Sequence, residues 1–290
     1  MSALSSLLKE VFGRSARRSG ARVRPPEPAE LAFGELKLKH CRHGWMLVTG
    51  PYVGKCLELY GEYAESEVEV FRRFTRLGDT AVDVGANIGS LTLPLAGLVG
   101  PQGRVFAFES HPEVFNVLCA NLALNRITNV MPVNAFVANG PEAETGSRVW
   151  GKYAFIGKVW APRFERLDAL ALPACSLIKI DVDGGELEVL RSAAQTIARC
   201  RPVLYFENDV AEKSAPLLQH VLDLDYRVYR HLAPIFRPDN FLGNPVNAWA
   251  PRNMISKMML AIPREREQHV AGLPEVRAAD EGWPALSAAG

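Results

Sequence analysis

Strand-like and helix-like runs alternate along most of this chain, and that alternation limits the folds that it can adopt. Short apolar runs such as TAVDV (80–84) and RVFAF (104–108) are followed by stretches with helical spacing, such as PEVFNVLCANLALN (112–125). The pattern continues through VMPVNAFV, SLIKIDV, PVLYFEN, YRVYRHL and KMMLAIP. Strands separated by helices form right-handed βαβ units and a sheet covered on both faces. We therefore predict an α/β protein with an open, mostly parallel, seven-stranded sheet and helices on both faces.

The composition of the chain divides it into regions. The pattern predicts a flexible basic and Pro-rich leader (1–30), an N-terminal β-hairpin and helix cap (31–78), the α/β domain (79–264) and a disordered tail (265–290). No run close to 20 apolar residues occurs, so we expect no stable membrane insertion. The five cysteines are scattered without zinc-ligand spacing, which is typical of a reducing compartment. We predict a cytoplasmic protein.

The charge of the chain restricts its partners. Thirty-three Lys and Arg residues balance 32 Asp and Glu residues, which leaves a formal net charge of +1. No overall positive field therefore attracts nucleic acid or an anionic membrane. We expect a small or neutral partner and no nucleic acid, while the oligomeric state stays open.

The stretch AVDVGANIG (81–89) predicts a turn between a strand and a helix that approaches a ligand. A phosphate-binding P-loop needs Gly-Lys-Ser/Thr, and here Ser90 is followed by leucine. A dinucleotide-binding turn needs GxGxxG, and the corresponding positions are Gly85, Asn87 and Ser90. ATP or GTP hydrolysis is disfavoured, and a nicotinamide cofactor remains a weaker alternative.

Two acids near this turn favour a nucleoside without phosphate. Asp83 precedes Gly85 and would repel a phosphate but attract an ammonium group. Glu109 lies 24 residues after Gly85, at the carboxyl end of the next strand, where an acid can accept both hydroxyls of a ribose. S-adenosyl-L-methionine combines a ribose, an ammonium and a sulfonium, and it is our predicted cofactor.

Three motifs in order, VDVGANIGSLT (82–92), FAFESHP (106–112) and IKIDVDGGELEVLR (178–191), resemble the FkbM family of S-adenosylmethionine-dependent methyltransferases, which have the class I methyltransferase (Rossmann-like) fold. The resemblance covers about residues 60–210. It implies that Glu109 binds the ribose and that Asn134 lies near the adenine. It also implies that the methionine half of the cofactor is lined by Asp83, Gly85, Asn87 and Gly89.

Residues in and near the three motifs lead to four further predictions. Tyr60 and Glu67, in YGEYAESE, either close over the cofactor or belong to the start of a surface helix. The family usually has Val-Glu-Gly where this chain has Val182-Asp183-Gly184. Pro94 follows the turn, and we expect it to kink or shorten the helix there. His111 is expected to be a cap or a residue of the cofactor loop.

Acids also end the two later strands of the pattern. Lys179, Asp181 and Asp183 alternate, so they share one face if the strand persists, and Glu207 ends PVLYFEN. Buried unpaired charge is costly, so an acid at the ligand edge of an apolar strand favours function. Our candidate catalytic residues are Asp181, Glu207 and Asp183, with Asp181 or Glu207 as the base. Glu186 is expected either to act in the site or to favour its helix dipole.

Two mechanisms for these acids remain open. In the first, a carboxylate removes a hydroxyl proton while the acceptor is held in line with the methyl group. In the second, Mg²⁺ or Ca²⁺ is held by the oxygen ligands Asp181, Asp183, Glu207 and Asn208. No motif for methylating a nucleic-acid base is present.

The resemblance implies O-methylation of a sugar, glycan or secondary-metabolite hydroxyl, and we predict an O-methyltransferase. The alternatives are a non-catalytic protein that binds S-adenosylmethionine or a partner on the same fold, and a nicotinamide-dependent oxidoreductase. The stretch FRPDNFLGNPVNAWAP (236–251) either forms an acceptor wall with Phe241 and Trp249 or is a loop that packs its own aromatic residues.

Overall fold

The computed structural model describes residues 35–140, 163–250, 254–266 and 270–283, so the predicted leader lies outside the described residues. The strands are β1 (Lys37–Cys41), β2 (Gly44–Val48), β3 (Thr80–Val84), β4 (Arg104–Phe108), β5 (Val130–Val133), β6 (Phe136–Val137), β7 (Phe164–Glu165), β8 (Leu177–Ile180), β9 (Val203–Glu207), β10 (Tyr226–Pro234), β11 (Ile255–Pro263) and β12 (Glu275–Val276). The helices are α1 (Lys55–Tyr60), α2 (Glu65–Phe74), α3 (Thr92–Val99), α4 (Pro112–Leu124), α5 (Glu186–Ser192), α6 (Ala194–Cys200) and α7 (Ala211–Asp223).

The main sheet has eight strands in the order β12-β10-β11-β9-β8-β3-β4-β5. The five strands from β9 to β5 are parallel, and β11 is antiparallel to both of its neighbours, β9 and β10. This arrangement confirms the predicted open, mostly parallel α/β sheet. All the parallel strands end at one edge of the sheet, which is where ligands bind in such folds.

Alternate residues of the parallel strands enter two separate cores. Val82, Ile178 and Leu204 pack on one face with side chains of α5, α6 and α7. Ala81, Leu177 and Val203 pack on the other face with side chains of α2 and α3. Helices therefore cover both faces, and the candidate acids at odd-numbered positions of β3, β8 and β9 lie on the face that α2 and α3 cover.

The tail was expected to be disordered, and for residues 270–283 this prediction is wrong. Val276 is 1% exposed and pairs with Val228 of β10, which adds a short eighth strand to the seven that the pattern predicts. Trp283 packs against the core and its Nε1 donates to the carbonyl of Asn208 at 2.5 Å. The charged and Ala-rich composition hid these two apolar residues, whose burial orders the segment.

Pro94 occupies a different place in its helix than expected. Because α3 begins only at Thr92, Pro94 lies in the first turn. The N–H groups of the first turn have no partner within the helix, so proline is tolerated there and the predicted kink is not required. The turn between Gly85 and Leu91 is correspondingly longer than the sequence suggested.

The hairpin of β1 and β2 is joined to α4 by two asparagine side chains. Asn121 accepts from the N–H of Leu47 at 2.6 Å and donates to its carbonyl at 3.0 Å. Asn125 accepts from the N–H of Trp45 at 3.0 Å and donates to its carbonyl at 2.7 Å. Four residues of helix rise about 6.0 Å, close to the roughly 6.6 Å between alternate strand residues, so the spacings match.

Asn121 also reaches the glycine turn. It is fully buried, and its Nδ2 donates to the carbonyl of Ile88 at 2.8 Å. One side chain thus bonds both the hairpin and the turn after β3.

Within the described ranges, no helix is long and apolar enough to cross a bilayer.

Candidate active site

The turn after β3 has the backbone conformation that its glycines permit. Gly85 has φ of +80°, and a Cβ there would lie 1.8 Å from the carbonyl oxygen of Asp181. Gly89 has φ of +93°, and a Cβ there would lie 2.9 Å from Cδ1 of Leu118. Asn87 is also left-handed, and its Oδ1 accepts from the N–H of Ile88 at 2.8 Å. Only glycine allows the backbone to approach the end of β8 this closely.

Glu109 lies directly beside this turn. Its Oε2 accepts from the N–H of Asn87 at 2.9 Å, and its Oε1 accepts from the N–H of His111 at 2.7 Å. The residue is 7% exposed. Burial raises the pKa of Glu109 to about 7, against the opposing effect of the two N–H groups. The carboxyl group is therefore held in one orientation at the carboxyl end of β4.

His111 and Asn134 support the loop that carries Glu109. His111 caps α4, with Nδ1 accepting from the N–H of Val114 at 3.5 Å. Asn134 follows β5, and its Nδ2 donates to the carbonyls of Glu109 at 2.8 Å and Ser110 at 3.0 Å. The amide group of Asn134 is bonded to this loop, and its contact with adenine stays a prediction.

A buried ion pair crosses from β8 to β3. Strand register pairs Asp83 with Lys179 and Lys179 with Tyr205. Nζ of Lys179 lies 3.1 Å from Oδ1 of Asp83 and donates to the carbonyl of Gly85 at 2.8 Å. The hydroxyl of Thr92 donates to Oδ2 of Asp83 at 2.6 Å. Burial opposes the charged form of Lys179, but the surrounding carboxylates outweigh it and raise its pKa.

Asp181 and Glu207 lie side by side at the carboxyl edge of the sheet. Each lies one residue beyond the register pair of Ile180 and Phe206, so they are neighbours on one face. Oδ2 of Asp181 lies 3.9 Å from Nζ of Lys179. Burial and then the charge of Asp181 raise the pKa of Glu207. Burial raises the pKa of Asp181 as well, against the effect of Lys179. Two carboxyl groups with raised pKa values therefore lie next to each other at the rim.

Asp183 does not share the face of Lys179 and Asp181. β8 ends at Ile180, and Asp183 has φ of +55° and is exposed. The condition that the strand persists to Asp183 is therefore not met, because the chain turns at Asp183 and Gly184. Asp tolerates the left-handed region better than most residues, which fits its presence where the family usually has Glu.

Glu186 holds this turn in place. Its Oε1 accepts from the N–H groups of Val182 at 3.2 Å and Gly184 at 3.0 Å. Burial raises the pKa of Glu186 to about 7, although these N–H groups oppose the shift. The residue is 4% exposed, so its contact is with the loop after β8.

Tyr60 and Glu67 are both buried, so the surface-helix alternative is wrong for these two residues. They are 0% and 1% exposed respectively. The hydroxyl of Tyr60 accepts from the N–H of Ala248 at 2.8 Å and donates to the carbonyl of Val246 at 3.2 Å. Glu67 lies in the first turn of α2, over the face that carries Asp181 and Lys179.

The stretch 236–249 packs against the N-terminal elements. The buried carboxylate of Glu62 accepts from Nε of Arg42 and from the N–H of Phe241, each at 2.8 Å. Trp249 stacks on Tyr52 at 6.2 Å, and Nζ of Lys55 lies 5.0 Å from the centre of its ring. Phe241 remains 38% exposed.

The oxygen ligands of the metal alternative do not converge. Nδ2 of Asn208 donates to the hydroxyl of Ser214 at 2.9 Å. Among the residues that the structure describes, no group of three or more His, Cys, Asp or Glu side chains is arranged to hold a metal ion.

Sequence reasoning assigned no role to Lys179, Thr92 or Tyr63. A lysine inside the apolar run LIKI was the available signal, because a buried ammonium needs a carboxylate partner. Thr92 ends the first motif of the resemblance and bonds Asp83. Burial and the nearby charge of Asp181 raise the pKa of Tyr63 well above its ordinary value.

Comparison with known proteins identifies the family. The profile of the Methyltransferase FkbM domain matches residues 83–230, which is 148 of the 290 residues. An FkbM methyltransferase from Methylobacillus flagellatus KT aligns over 68% of this chain and 50% of its own, with 18% identity and a TM-score of 0.43.

Two curated proteins match over short segments. One is a tRNA(Phe) (4-demethylwyosine(37)-C(7)) aminocarboxypropyltransferase from Methanocaldococcus jannaschii, 40% identical over 57 residues, covering 20% of this chain and 22% of its own. The other is the catalytic subunit of a tRNA (adenine(58)-N(1))-methyltransferase from Yarrowia lipolytica, 31% identical over 75 residues, covering 26% and 19%. Each match spans about a fifth of the curated relative. With half of its length matched by the family profile, the chain belongs to the FkbM family of S-adenosylmethionine-dependent methyltransferases.

Proposed function

We propose that this methyltransferase acts on the oxygen of a hydroxyl group in a sugar, glycan or secondary metabolite. The observation that carries the proposal is the pair of neighbouring carboxyl groups, Asp181 and Glu207, at the carboxyl edge beside the glycine turn. A hydroxyl must lose its proton as its oxygen takes the methyl group, and a carboxylate next to a second carboxyl group that favours its protonated form suits that task.

In this proposal Asp181 is the base and Glu207 stabilises it. Asp181 retains 31% side-chain exposure, so an acceptor can reach it. Lys179, 3.9 Å away, favours the ionised form of Asp181. Asp183 stays a candidate for contact with the acceptor, because it is exposed on the loop that follows.

The residues around the glycine turn fit the cofactor. S-adenosylmethionine supplies an electrophilic methyl group on a positively charged sulfur. We propose that Glu109 binds its ribose and that Gly85, Asn87 and Gly89 line its methionine half. Asp83 was expected to attract its ammonium, but Asp83 already contacts Lys179 and Thr92. We therefore propose that Asp83 acts through Lys179, which bonds the carbonyl of Gly85.

The aromatic residues of the 236–249 stretch supply an acceptor wall in this proposal. Sugars stack on aromatic faces, and Tyr52 and Phe241 expose part of their rings. A screen of methyl-labelled cofactor with sugars, glycans and cell extract tests the acceptor class. Total tRNA belongs in the same screen, because the names of two curated relatives concern tRNA. Label in tRNA instead of a small hydroxyl compound would refute the proposal.

Three controls separate the rival functions. Loss of activity with EDTA and its recovery with Mg²⁺ would support the metal alternative, whereas EDTA-insensitive turnover would exclude it. Calorimetric binding of S-adenosylmethionine without S-adenosylhomocysteine formation in any acceptor pool would indicate a non-catalytic binding protein. Binding of NADH in a fluorescence titration would support the oxidoreductase.

A further inference from the structure

Three carboxyl groups act on the ammonium of Lys179 on one face of the sheet, and a fourth, that of Glu207, lies beside Asp181. They come from Asp83 on β3, Asp181 after β8, Glu207 on β9 and Glu67 on α2. We refer to these five residues as the Lys179 cluster. Four carboxylates against one ammonium would leave a large buried excess of negative charge, which is unfavourable away from water. The cluster therefore holds protons unless a positive ligand is present.

Glu67 and Glu207 have no ion-pair contact with a described residue. Glu67 is 1% exposed, and its Oε2 is buried and has no hydrogen-bond partner among the described residues. Lys179 pairs instead with Asp83 at 3.1 Å and approaches Asp181 at 3.9 Å. Glu67 thus presents an unbonded oxygen inside the cluster.

The groups around Glu67 make its pKa respond to an added charge. Burial and then Asp181 raise the pKa of Glu67 to about 8, with Lys179 opposing and Asp83 adding to the rise. The remaining titratable neighbours are Tyr63 before α2 and Tyr205 on β9, both influenced by Glu67 and both neutral because burial raises their pKa values. A positive charge placed near this cluster favours the carboxylate.

We propose that Glu67 is a charge-responsive positioning residue of the cofactor site, which releases its proton when the positively charged cofactor binds and regains one after methyl transfer. This inference rests on the proposed location of the cofactor at the glycine turn. The negative charge of ionised Glu67 then offsets the positive charge of the cofactor from across the cluster. Glu67 does not touch the reacting atoms.

The reaction changes the charge that faces the cluster by one. The acceptor oxygen forms a bond to the methyl carbon, the carbon–sulfur bond breaks, and its electron pair stays on sulfur, which becomes a neutral thioether. The hydroxyl proton passes to the Asp181–Glu207 pair. With the sulfur neutral, the cluster again favours one more bound proton, which is the proton taken from the acceptor hydroxyl, and it moves from the Asp181–Glu207 pair to Glu67.

Calorimetry on the full chain tests the proposal. Titrating S-adenosylmethionine in two buffers of different ionisation enthalpy counts the protons released, and S-adenosylhomocysteine serves as the ligand with neutral sulfur. We expect the wild type to release more protons with S-adenosylmethionine than with S-adenosylhomocysteine near pH 7. We also expect the ratio of the two affinities to rise about threefold or more between pH 6 and pH 8.5.

Variants assign the proton to Glu67. Glu67→Gln should abolish both differences, and Glu67→Asp should restore part of them. Glu69→Gln, on the same helix at a position with 64% side-chain exposure, should behave like the wild type. Equal proton release for the two ligands in the wild type would overturn the proposal even if Glu67→Gln did not fold. Absence of any cofactor binding would instead overturn the cofactor site itself.

Discussion

Nζ of Lys179 lies 3.1 Å from Oδ1 of Asp83 and 2.8 Å from the carbonyl oxygen of Gly85. A single ammonium therefore links a buried carboxylate of β3 to the backbone of the glycine turn. Both side chains are nearly excluded from solvent, at 2% and 1% exposure. The conformation of the turn thus depends on a charge that is located on the next strand of the sheet.

Removing that ammonium should strongly destabilise the protein. In Lys179→Met, Asp83 stays buried without its partner, and breaking a buried pair in this way costs about 3–5 kcal/mol. Urea unfolding measures the change. Lys39→Met is the matched control, because Lys39 has 35% side-chain exposure and lies 3.9 Å from Glu58; it should cost about 1 kcal/mol or less. Similar losses of unfolding free energy in both variants would contradict a stabilising role of the buried ion pair.

Glu109→Gln should weaken cofactor binding, and it should also destabilise the turn, because one of the two oxygens that accept from Asn87 and His111 becomes an NH₂ group. Hydrogen bonds to a charged group contribute about 1.5–3 kcal/mol, so we expect roughly a 10- to 100-fold higher Kd for S-adenosylmethionine. Calorimetry measures the affinity. Glu212→Gln, in the first turn of α7 and exposed, should leave it unchanged. An unaltered Kd in Glu109→Gln would mean that the ribose lies elsewhere.

Asp181→Asn should lower turnover far more than cofactor affinity. Loss of a positioned base reduces rates by about 10²- to 10⁴-fold. Glu207→Gln should act in the same direction, and the double variant should fall short of the product of the two effects, because the two carboxyl groups are neighbours whose charges interact. Single-turnover rates and Kd values are compared in the three variants. A normal rate for Asp181→Asn would assign the base to another group.

The stability of the cofactor-free protein should fall as the pH rises. The pKa of Glu67 increases from 4.5 in the unfolded chain to about 8 in the fold. A carboxyl group whose pKa is higher in the fold than in the unfolded chain contributes its full stabilisation below the unfolded-state pKa. This stabilisation is lost as the pH rises through the folded-state pKa. The part of the decrease that Glu67 causes falls between about pH 4.5 and pH 8, and Glu109 and Glu186 add to it up to about pH 7. Glu207, whose pKa burial and Asp181 raise to about 11, extends the decrease to higher pH.

Melting temperatures of the wild type and Glu67→Gln at the two ends of this interval test the assignment. The wild type should lose more stability than the variant, since glutamine does not titrate. Parallel pH profiles for the two proteins would show that Glu67 titrates normally.

Asn121→Ala should be more destabilising than Asn125→Ala. Asn121 is fully buried and bonds Leu47 twice and Ile88 once, so its removal leaves three backbone groups without partners. Each unsatisfied buried group costs about 1–3 kcal/mol, which predicts a loss of at least that size. Asn125 is half-buried, and water can replace its bonds to Trp45. Unfolding free energies in urea provide the comparison, and equal losses would contradict this ranking.

The parts of the site that the sequence predicts are those defined by short-range pattern. Gly85, Gly89 and Glu109 follow apolar strands directly, and the end of a parallel strand is also the edge where ligands bind. Asp181 and Glu207 were predicted for the same reason, and the structure brings them together. Their chemical roles remain predictions.

The parts that the sequence missed depend on contacts between distant segments. Glu67 looks like an ordinary acid in the first turn of a helix until α2 packs on the face of Lys179. Val276 and Trp283 lie in a charged tail, and their burial depends on β10 and the core. Asp183 was misplaced because periodicity does not reveal where a strand ends and the backbone turns to positive φ.

The two asparagines of α4 also determine what else β2 can do. An isolated two-stranded hairpin leaves a row of backbone groups open to pairing with another chain, which is a common route to aggregation. Here the N–H and carbonyl groups of Trp45 and Leu47 are already bonded to Asn125 and Asn121. This edge is therefore closed to strand addition at both positions, and the spacing Asn-x-x-x-Asn on a helix serves as a substitute for a third strand.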